Sequence, residues 1–410
     1  MMVALIKHRV AVALGNQALS SLTNFLFLLF LIRVLSPAEF GLYSIGFAIL
    51  LGAGALVNGF FMIQMVTLLP SVPVADQPEF AAGVLAWLVL ALAGAGFLTA
   101  IAVLVFPAFA AYAGALAFTI SAFSLKEFFI RYFFSTEKGH LSAVMLHVVL
   151  AATLLAALGL QPQGLSATGA LVFYGVAHAA AVLGGLMMAR LPIGRLTPAM
   201  LRHVWSAIVP GGRWATVSAM IYTIRASAHT FIVAAIIGPV AVAQMNAARV
   251  LVTPATIFIP TLSNILLPAF SMLARERGAA AVLPQALAAS SRIFLVAAAY
   301  SALLLLLWPV VQPVFLGAAY IDAFWIVVLW GIFAMVLALR SGLEWGLQAL
   351  KQFRPISFIN LAGAGATVSA IFVLGYLGGV SGAISGAILG ELLTLALLFI
   401  AFSRLKHGGG

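Results

Sequence analysis

The sequence contains no cysteine and very few charged residues. Only 7% of its 410 residues are charged and 64% are hydrophobic, whereas an ordinary soluble domain carries about 25% charged residues. These few charges cannot cover the surface of a soluble globular protein, and so hydrophobic a chain is not disordered. Without cysteine, the chain has no disulfide, thiolate metal site or palmitoylated thiol. The composition therefore predicts a polytopic membrane protein.

Several motifs of enzymes are also missing. The only aspartates, Asp76 and Asp322, are far apart, so no aspartate pair can hold a metal-bound nucleotide sugar. There is no Gly-Lys-Ser/Thr phosphate loop and no Gly-x-Ser-x-Gly nucleophile turn. His147 and His178 lie in apolar segments without neighbours at metal-ligand spacing, and we expect them to form interhelical hydrogen bonds. The sequence predicts a protein that is not an enzyme and has neither a metal nor a cofactor.

Long apolar segments predict about twelve membrane-spanning helices, because each span needs about 20 mostly apolar residues. The predicted spans are 10–33, 40–69, 80–106, 108–134, 141–160, 167–189, 208–237, 240–267, 290–311, 321–339, 355–376 and 382–402. Nearly all flanking Lys and Arg residues fall on one side of these spans, and Arg33 falls on the other. The positive-inside rule then predicts that both termini are cytoplasmic. It also explains the net charge of +11 without a nucleic-acid partner.

The two halves of the chain resemble each other in short motifs. The segment 33–41 contains Pro37, and the segment 235–243 contains Pro239 in the same place. Leu-Leu-Pro recurs at 68–70 and at 266–268, with nearly the same offset of about 200 residues. We therefore predict an all-α membrane protein with two six-helix lobes, residues 1–195 and 196–410. A parallel pseudo-two-fold repeat would relate these lobes around a central cavity.

Matching rows of polar residues lie on the first helix of each half. They consist of Asn16, Ser20, Thr23 and Asn24 in the first helix, and of Ser218, Tyr222, Arg225 and His229 in the seventh. Within each helix, the spacing places most of the row on one face. A polar face is unfavourable against lipid, so these residues are predicted to line a helix interface or a wet central space.

Arg225 lies midway along the seventh helix, where an arginine costs roughly 2.5–3.5 kcal/mol on insertion scales. One explanation is a partner carboxylate on a neighbouring helix. We favour the other, a cationic site for an anionic substrate. Arg249 and Asn246 in the eighth helix are predicted to add to this site.

Glu391 is the only carboxylate that the sequence places centrally, in the twelfth helix. It is predicted either to pair with an arginine or to bind a proton or Na⁺ as a coupling site. Two further pairs at i, i+4 spacing, Glu127 with Arg131 and Arg340 with Glu344, are predicted to be structural ion pairs.

The segments 15–24 and 33–43 resemble the polysaccharide (Wzx-type) flippases of the multidrug/oligosaccharidyl-lipid/polysaccharide exporter superfamily, and the block 208–268 is similar to their second half. The resemblance implies alternating access in a bacterial inner membrane. It implies as substrate an oligosaccharide on polyprenyl pyrophosphate, with a polysaccharide polymerase and glycosyltransferases as partners. Arg225 would suit the pyrophosphate, and the hydroxyl and amide rows would suit the sugars. His229 departs from the family, in which an acidic residue is frequent near this position.

Two other functions fit a polytopic helical chain. A cation-coupled multidrug exporter of the same superfamily would be expected to have central carboxylates for its cationic substrates, where this chain has arginine. A membrane-embedded glycan polymerase or ligase would be expected to have a sizeable external loop with paired polar residues, and the predicted loops here are short.

Overall fold

All regular secondary structure in the computed structural model is helical over the residues it describes, 2–136, 139–159, 164–257 and 259–407. The principal helices are α1 (Met2–Val34), α2 (Pro37–Ser71), α3 (Gln77–Val105), α4 (Ala110–Ser135), α5 (His140–Gly159), α6 (Ala167–Ala189), α7 (Pro198–Ile236), α8 (Pro239–Thr256), α9 (Ile259–Arg277), α10 (Val282–Leu306), α11 (Phe324–Ala349) and α12 (Phe353–His407). The predicted all-α fold class is confirmed.

Eight of the described helices are long and apolar enough to cross a membrane, and α7 makes nine if its two parts form one span. The 55-residue helix α12 contains the predicted eleventh and twelfth spans. Its backbone leaves the helical region at Gly378 and Gly379, which divides it into two arms. The predicted eighth span is instead split into α8 and α9. These helices support a multi-pass membrane protein.

Proline and glycine set several helix ends. Pro37 begins α2 and Pro239 begins α8, the position where the missing N–H of proline costs nothing. Gly238 precedes Pro239 with a φ of 115°, which a residue with a side chain rarely adopts. At the start of α6, the Ser166 hydroxyl accepts a hydrogen bond from the Gly169 amide. These local signals explain why the sequence pattern located most helix ends.

The chain forms two compact units. The first contains Met1–Leu35 and Gly46–Thr223, and the second contains Ser36–Ile45 and Ile224–Gly410. Helix α7 thus passes from the first unit to the second between Thr223 and Ile224. These units are defined by packing, and the lobes 1–195 and 196–410 inferred from the repeat remain a prediction.

Small residues allow close helix packing inside the first unit. Gly175 and Gly185 of α6 face the rings of Phe118 and Phe129 of α4, and any side chain at either glycine would collide with those rings. Interfaces between membrane helices depend on such close contact, because apolar helix surfaces gain little by leaving lipid. Helices α4 and α6 are therefore packed closely against each other.

In the second unit, α11 packs against α8, α9, α10 and α12. Gly342 and Gly346 of α11 lie against Ser290 of α10 and Phe402 of α12. Near the start of α2, Gly41 lies against the backbone carbonyl of Pro239, so the two repeated motifs meet in this unit. This packing places the charged residues of α11 beside those of α12.

Candidate functional site

Glu391 is the centre of a charged network inside the second unit. It lies on the second arm of α12 and is 5% exposed. Its Oε1 accepts a hydrogen bond from Arg225 Nη2 of α7 at 2.8 Å, and its Oε2 accepts one from Arg340 Nη1 of α11 at 2.8 Å. Thr394 adds its hydroxyl oxygen, 3.2 Å from Arg225 Nη2. One carboxylate therefore joins three helices through both of its oxygens.

The network closes into a ring. Arg340 Nη2 lies 3.0 Å from Glu344 Oε2, and Asn360 Nδ2 donates to Glu344 Oε1 at 3.1 Å. Arg225 Nη1 then donates to Asn360 Oδ1 at 3.2 Å. The two arginines and two glutamates sum to zero formal charge. This compensation makes the low exposure of the group tolerable, because a buried charge is costly unless it is paired and hydrogen-bonded.

The ring contains the ion pair that was one of the two explanations for Arg225 and for Glu391. Arg225 has the partner carboxylate that was the alternative to an isolated cationic site, and Glu391 is the residue that pairs with it. The predicted ion pair between Arg340 and Glu344 is confirmed. Sequence reasoning missed Asn360 in this network, because its partners lie on helices distant in sequence.

A second basic cluster lies on α7 and α8. Arg249 is exposed, its Nη1 lies 3.0 Å from His229 Nε2, and its guanidinium carbon lies 5.4 Å from the centre of the Trp330 ring. Trp330 donates its indole N–H to the Met245 carbonyl oxygen at 3.0 Å, which fixes the ring. The structure thus brings the predicted residues Arg249 and His229 together and adds Trp330, whose ring face attracts a cation.

The other predicted site residues of the second half differ in their surroundings. Asn246 is half-buried on α8, and Ser218 is exposed on the part of α7 that belongs to the first unit. The side chain of Tyr222 lies outside the described residues. Of the described side chains in the row of the seventh helix, Arg225 and His229 therefore belong to the second unit and Ser218 to the first.

The polar row of α1 makes hydrogen bonds within the first unit. Asn16 Oδ1 lies 2.7 Å from His147 Nδ1 of α5, and Asn24 Oδ1 accepts from the Tyr174 hydroxyl of α6 at 2.9 Å. Thr23 donates to the Leu19 carbonyl of its own helix, and Ser20 is half-buried. The row thus contributes to helix interfaces, one of the two predicted roles.

The predicted histidine contacts are half right. His147 does form an interhelical hydrogen bond, with Asn16. His178 instead lies 2.8 Å from the Tyr174 carbonyl oxygen of its own helix. Within the described part of the chain, no three His, Asp or Glu residues are grouped so that they could hold a metal ion.

Lys126 is a buried cation that sequence reasoning missed. Its side chain is 2% exposed, and its Nζ lies 2.6 Å from Glu127 Oε1 and 3.5 Å from His147 Nε2. Glu127 therefore forms its salt bridge with Lys126. The prediction that it pairs with Arg131 was wrong. Neighbours in a helix do not normally face each other, so the spacing of Lys126 and Glu127 did not predict this pair. The adjacent lysine and glutamate in an apolar helix were the only signal.

Comparisons with protein families and with curated proteins found no match. Among solved structures, an inward-facing multidrug resistance MATE family transporter of the MOP superfamily has a TM-score of 0.77 and 15% identity, covering 98% of this chain and 100% of that one. The lipid II flippase MurJ, in an inward closed conformation, has a TM-score of 0.65 and 12% identity, covering 95% and 86%. An outward-facing MATE family transporter has a TM-score of 0.63 and 15% identity, covering 97% and 96%. Over nearly its whole length, the chain therefore has the fold of these MOP-superfamily proteins.

Proposed function

We propose that this protein is a flippase that moves a polyprenyl-pyrophosphate-linked oligosaccharide across a bacterial inner membrane for polysaccharide synthesis. In this proposal both termini are cytoplasmic, and the polymerase and glycosyltransferases of the same polysaccharide are its partners. The resemblance of segments 15–24 and 33–43 to the Wzx-type flippases supports it. So does the shared fold, because one of the similar structures is a lipid II flippase.

The proposed substrate is inferred from the charges of the buried polar groups. Three carboxylates lie inside the described apolar helices beyond their first turns: Glu127, Glu344 and Glu391. Each forms a salt bridge with lysine or arginine. A site for cationic drugs would need negative charge that is not already compensated. An anionic pyrophosphate instead fits an interior in which basic groups outnumber acidic ones.

Arg249 is the residue that we assign to the pyrophosphate, because it is an exposed arginine on an apolar helix of the second unit. A guanidinium can form two parallel hydrogen bonds with a phosphate group. His229 and Trp330 hold this side chain in place. We assign Arg225 a supporting role, since its Nη2 is engaged by both Glu391 and Thr394.

In the proposed mechanism, the headgroup binds while the protein is open to the cytoplasm, and the polyprenyl tail stays in the bilayer. Alternating access then exposes the headgroup on the far side, and no covalent bond forms or breaks. Glu391 contributes by holding α7, α11 and α12 together. A proton or cation that binds Glu391 directly would have to displace Arg225 or Arg340, so we do not assign coupling to this residue.

A multidrug exporter is the second candidate, because two of the similar structures are multidrug resistance transporters. This function would require the protein to transport cationic compounds despite its neutralised carboxylates. Transport of such compounds by the purified protein distinguishes the two candidates.

The role of Arg249 can be tested in liposomes that contain a labelled polyprenyl-pyrophosphate oligosaccharide. Flipping is followed by the accessibility of the headgroup to an external probe. We expect Arg249→Gln to slow flipping at least about tenfold, the equivalent of one charge-assisted hydrogen bond of about 1.4 kcal/mol or more. Arg292→Gln is the control, because Arg292 is an exposed arginine of the same unit. Equal rates for the two variants would remove Arg249 from the site.

A further inference from the structure

A small cavity inside the first unit has no role in the site described above. Its volume is about 200 Å³, and it lies between α2 and α4. Apolar side chains of α2 form part of its wall, together with the ring of Phe123. Its polar lining consists of Asn58 from α2 and of Ser124, Glu127 and Arg131 from α4.

Three polar atoms of this lining lack a hydrogen-bond partner among the described residues. They are Asn58 Oδ1, Ser124 Oγ and Arg131 Nε, and all three are buried. Ser124 as a whole has 0% exposure. Buried polar groups are nearly always hydrogen-bonded, so three orphaned atoms around one cavity require an explanation. Each atom has almost no exposed surface, so a polar molecule in the cavity would bond to them once the lining side chains shift.

The backbone of α2 is irregular where it meets the cavity. Residues Asn58–Met62 form a π-helical turn, a feature that is frequent at functional sites. One turn earlier, Gly54 faces Phe123, and a side chain there would collide with the ring. Glycine therefore leaves the Phe123 ring room to form part of the cavity wall.

The charges of the lining point to a neutral ligand. Glu127 and Arg131 give opposite charges to the same wall, and Lys126 compensates Glu127 from outside it. A phosphate would meet the Glu127 carboxylate, and a metal cation would meet the Arg131 guanidinium. A hydroxyl group, in contrast, both accepts and donates hydrogen bonds. It can accept from Arg131 and donate to Asn58 or Glu127.

We propose that this cavity binds one sugar unit through its hydroxyl groups, with the Phe123 ring as an apolar wall. The volume suits a single sugar ring, because pockets for drug-sized ligands measure about 300–1,000 Å³. This inference rests on the proposed function in one respect: the sugar would belong to the transported oligosaccharide. The binding itself does not require transport.

The test uses the purified full-length protein in detergent and saturation-transfer NMR with four free sugars. These are D-glucose, D-galactose, N-acetyl-D-glucosamine and L-rhamnose. We expect at least one to bind with a Kd in the millimolar range. Ser124→Ala and Asn58→Leu should each weaken that binding at least about fivefold. Ser290→Ala is the matched control, because Ser290 is a buried serine whose hydroxyl lacks a partner among the described residues of the other unit.

The proposal is supported if Ser290→Ala keeps the binding and if every cavity variant that keeps the wild-type melting temperature within a few degrees loses it. Two cavity variants are used because, if one does not fold, the other still tests the proposal. Absence of binding by all four sugars overturns the proposal and leaves a cavity for water. Sugar binding that persists in both variants overturns it too.

The result is separable from that of the flipping assay. Flipping without sugar binding in this cavity would refute the subsite and leave the proposed function intact. Sugar binding here without flipping of any lipid-linked oligosaccharide would refute the proposed function and keep the subsite.

Discussion

At the scale of residues, each unit compensates the buried charges that it carries. Glu127 pairs with Lys126 in the first unit, and Glu391 pairs with Arg225 and Arg340 in the second. Removing one partner from a buried ion pair leaves a charge that nothing stabilises, which is more damaging than replacing the whole pair. The ring around Glu391 should therefore be sensitive to loss of its central carboxylate.

We predict that Glu391→Gln destabilises the protein by about 3–5 kcal/mol, because Arg225 and Arg340 lose the charge that they share. Unfolding in detergent, followed by circular dichroism, measures this loss. Glu276→Gln is the control, since Glu276 is exposed at the end of α9. A loss of unfolding free energy no greater than that of the control would show that the ring contributes little to stability.

The sequence predicted the charges of this ring but not all of their partners. Arg340 and Glu344 are one turn apart on one helix, so their pairing could be read from local spacing. Arg225 and Glu391 are 166 residues apart, and their contact depends on how α7 packs against α12. Nothing in the sequence around Asn360 predicted its place in the ring, because its hydrogen-bond partners lie on other helices.

At the scale of elements, helix α12 is the clearest case of a fold set by glycine. Its break at Gly378 and Gly379 lets the second arm return along the first. Gly386 then lies against the backbone of Ala370, where an added Cβ would be 2.5 Å from the carbonyl carbon. The sequence predicted both arms from their apolar lengths. The sequence did not show which glycines lie between the two arms, because a glycine that faces lipid cannot be told from one at a helix interface by sequence alone.

We predict that Gly386→Ala lowers the melting temperature, although alanine is the better helix former by about 1 kcal/mol. The added methyl group must push the two arms apart. Gly365→Ala is the matched control, since no described atom outside its own stretch of helix lies within 4 Å of the position that its Cβ would occupy. The control should match or slightly exceed the wild type. Equal melting temperatures for the two variants would contradict the packing of the arms.

Helix ends were predicted well where a local signal exists. Residues 167–189 were predicted as a span, and α6 has the same bounds, with Ser166 as its N-cap. The segment 240–267 was predicted as one span because hydrophobicity runs through it. The structure divides it into α8 and α9. Pro254 lies two residues before the last residue of α8, and a proline that is tolerated inside a membrane helix does not by itself locate a break.

At the scale of the whole molecule, fold and substrate rest on different evidence. The fold is shared with both multidrug transporters and a lipid flippase, so it does not separate their substrates. The proposed choice between these substrates rests on side chains. The carboxylates inside the described apolar helices are all compensated, and Arg249 is exposed. On this basis we propose, as above, that the substrate is an anionic lipid-linked glycan and not a cationic drug.

The measurement that tests this claim most directly compares two substrates in one preparation. Liposomes containing the wild-type protein are assayed for flipping of a labelled polyprenyl-pyrophosphate oligosaccharide and for transport of a cationic dye, with protein-free liposomes as the reference. We predict rapid flipping of the lipid and dye transport no faster than in the reference. Dye transport without lipid flipping would contradict the account and identify a drug exporter.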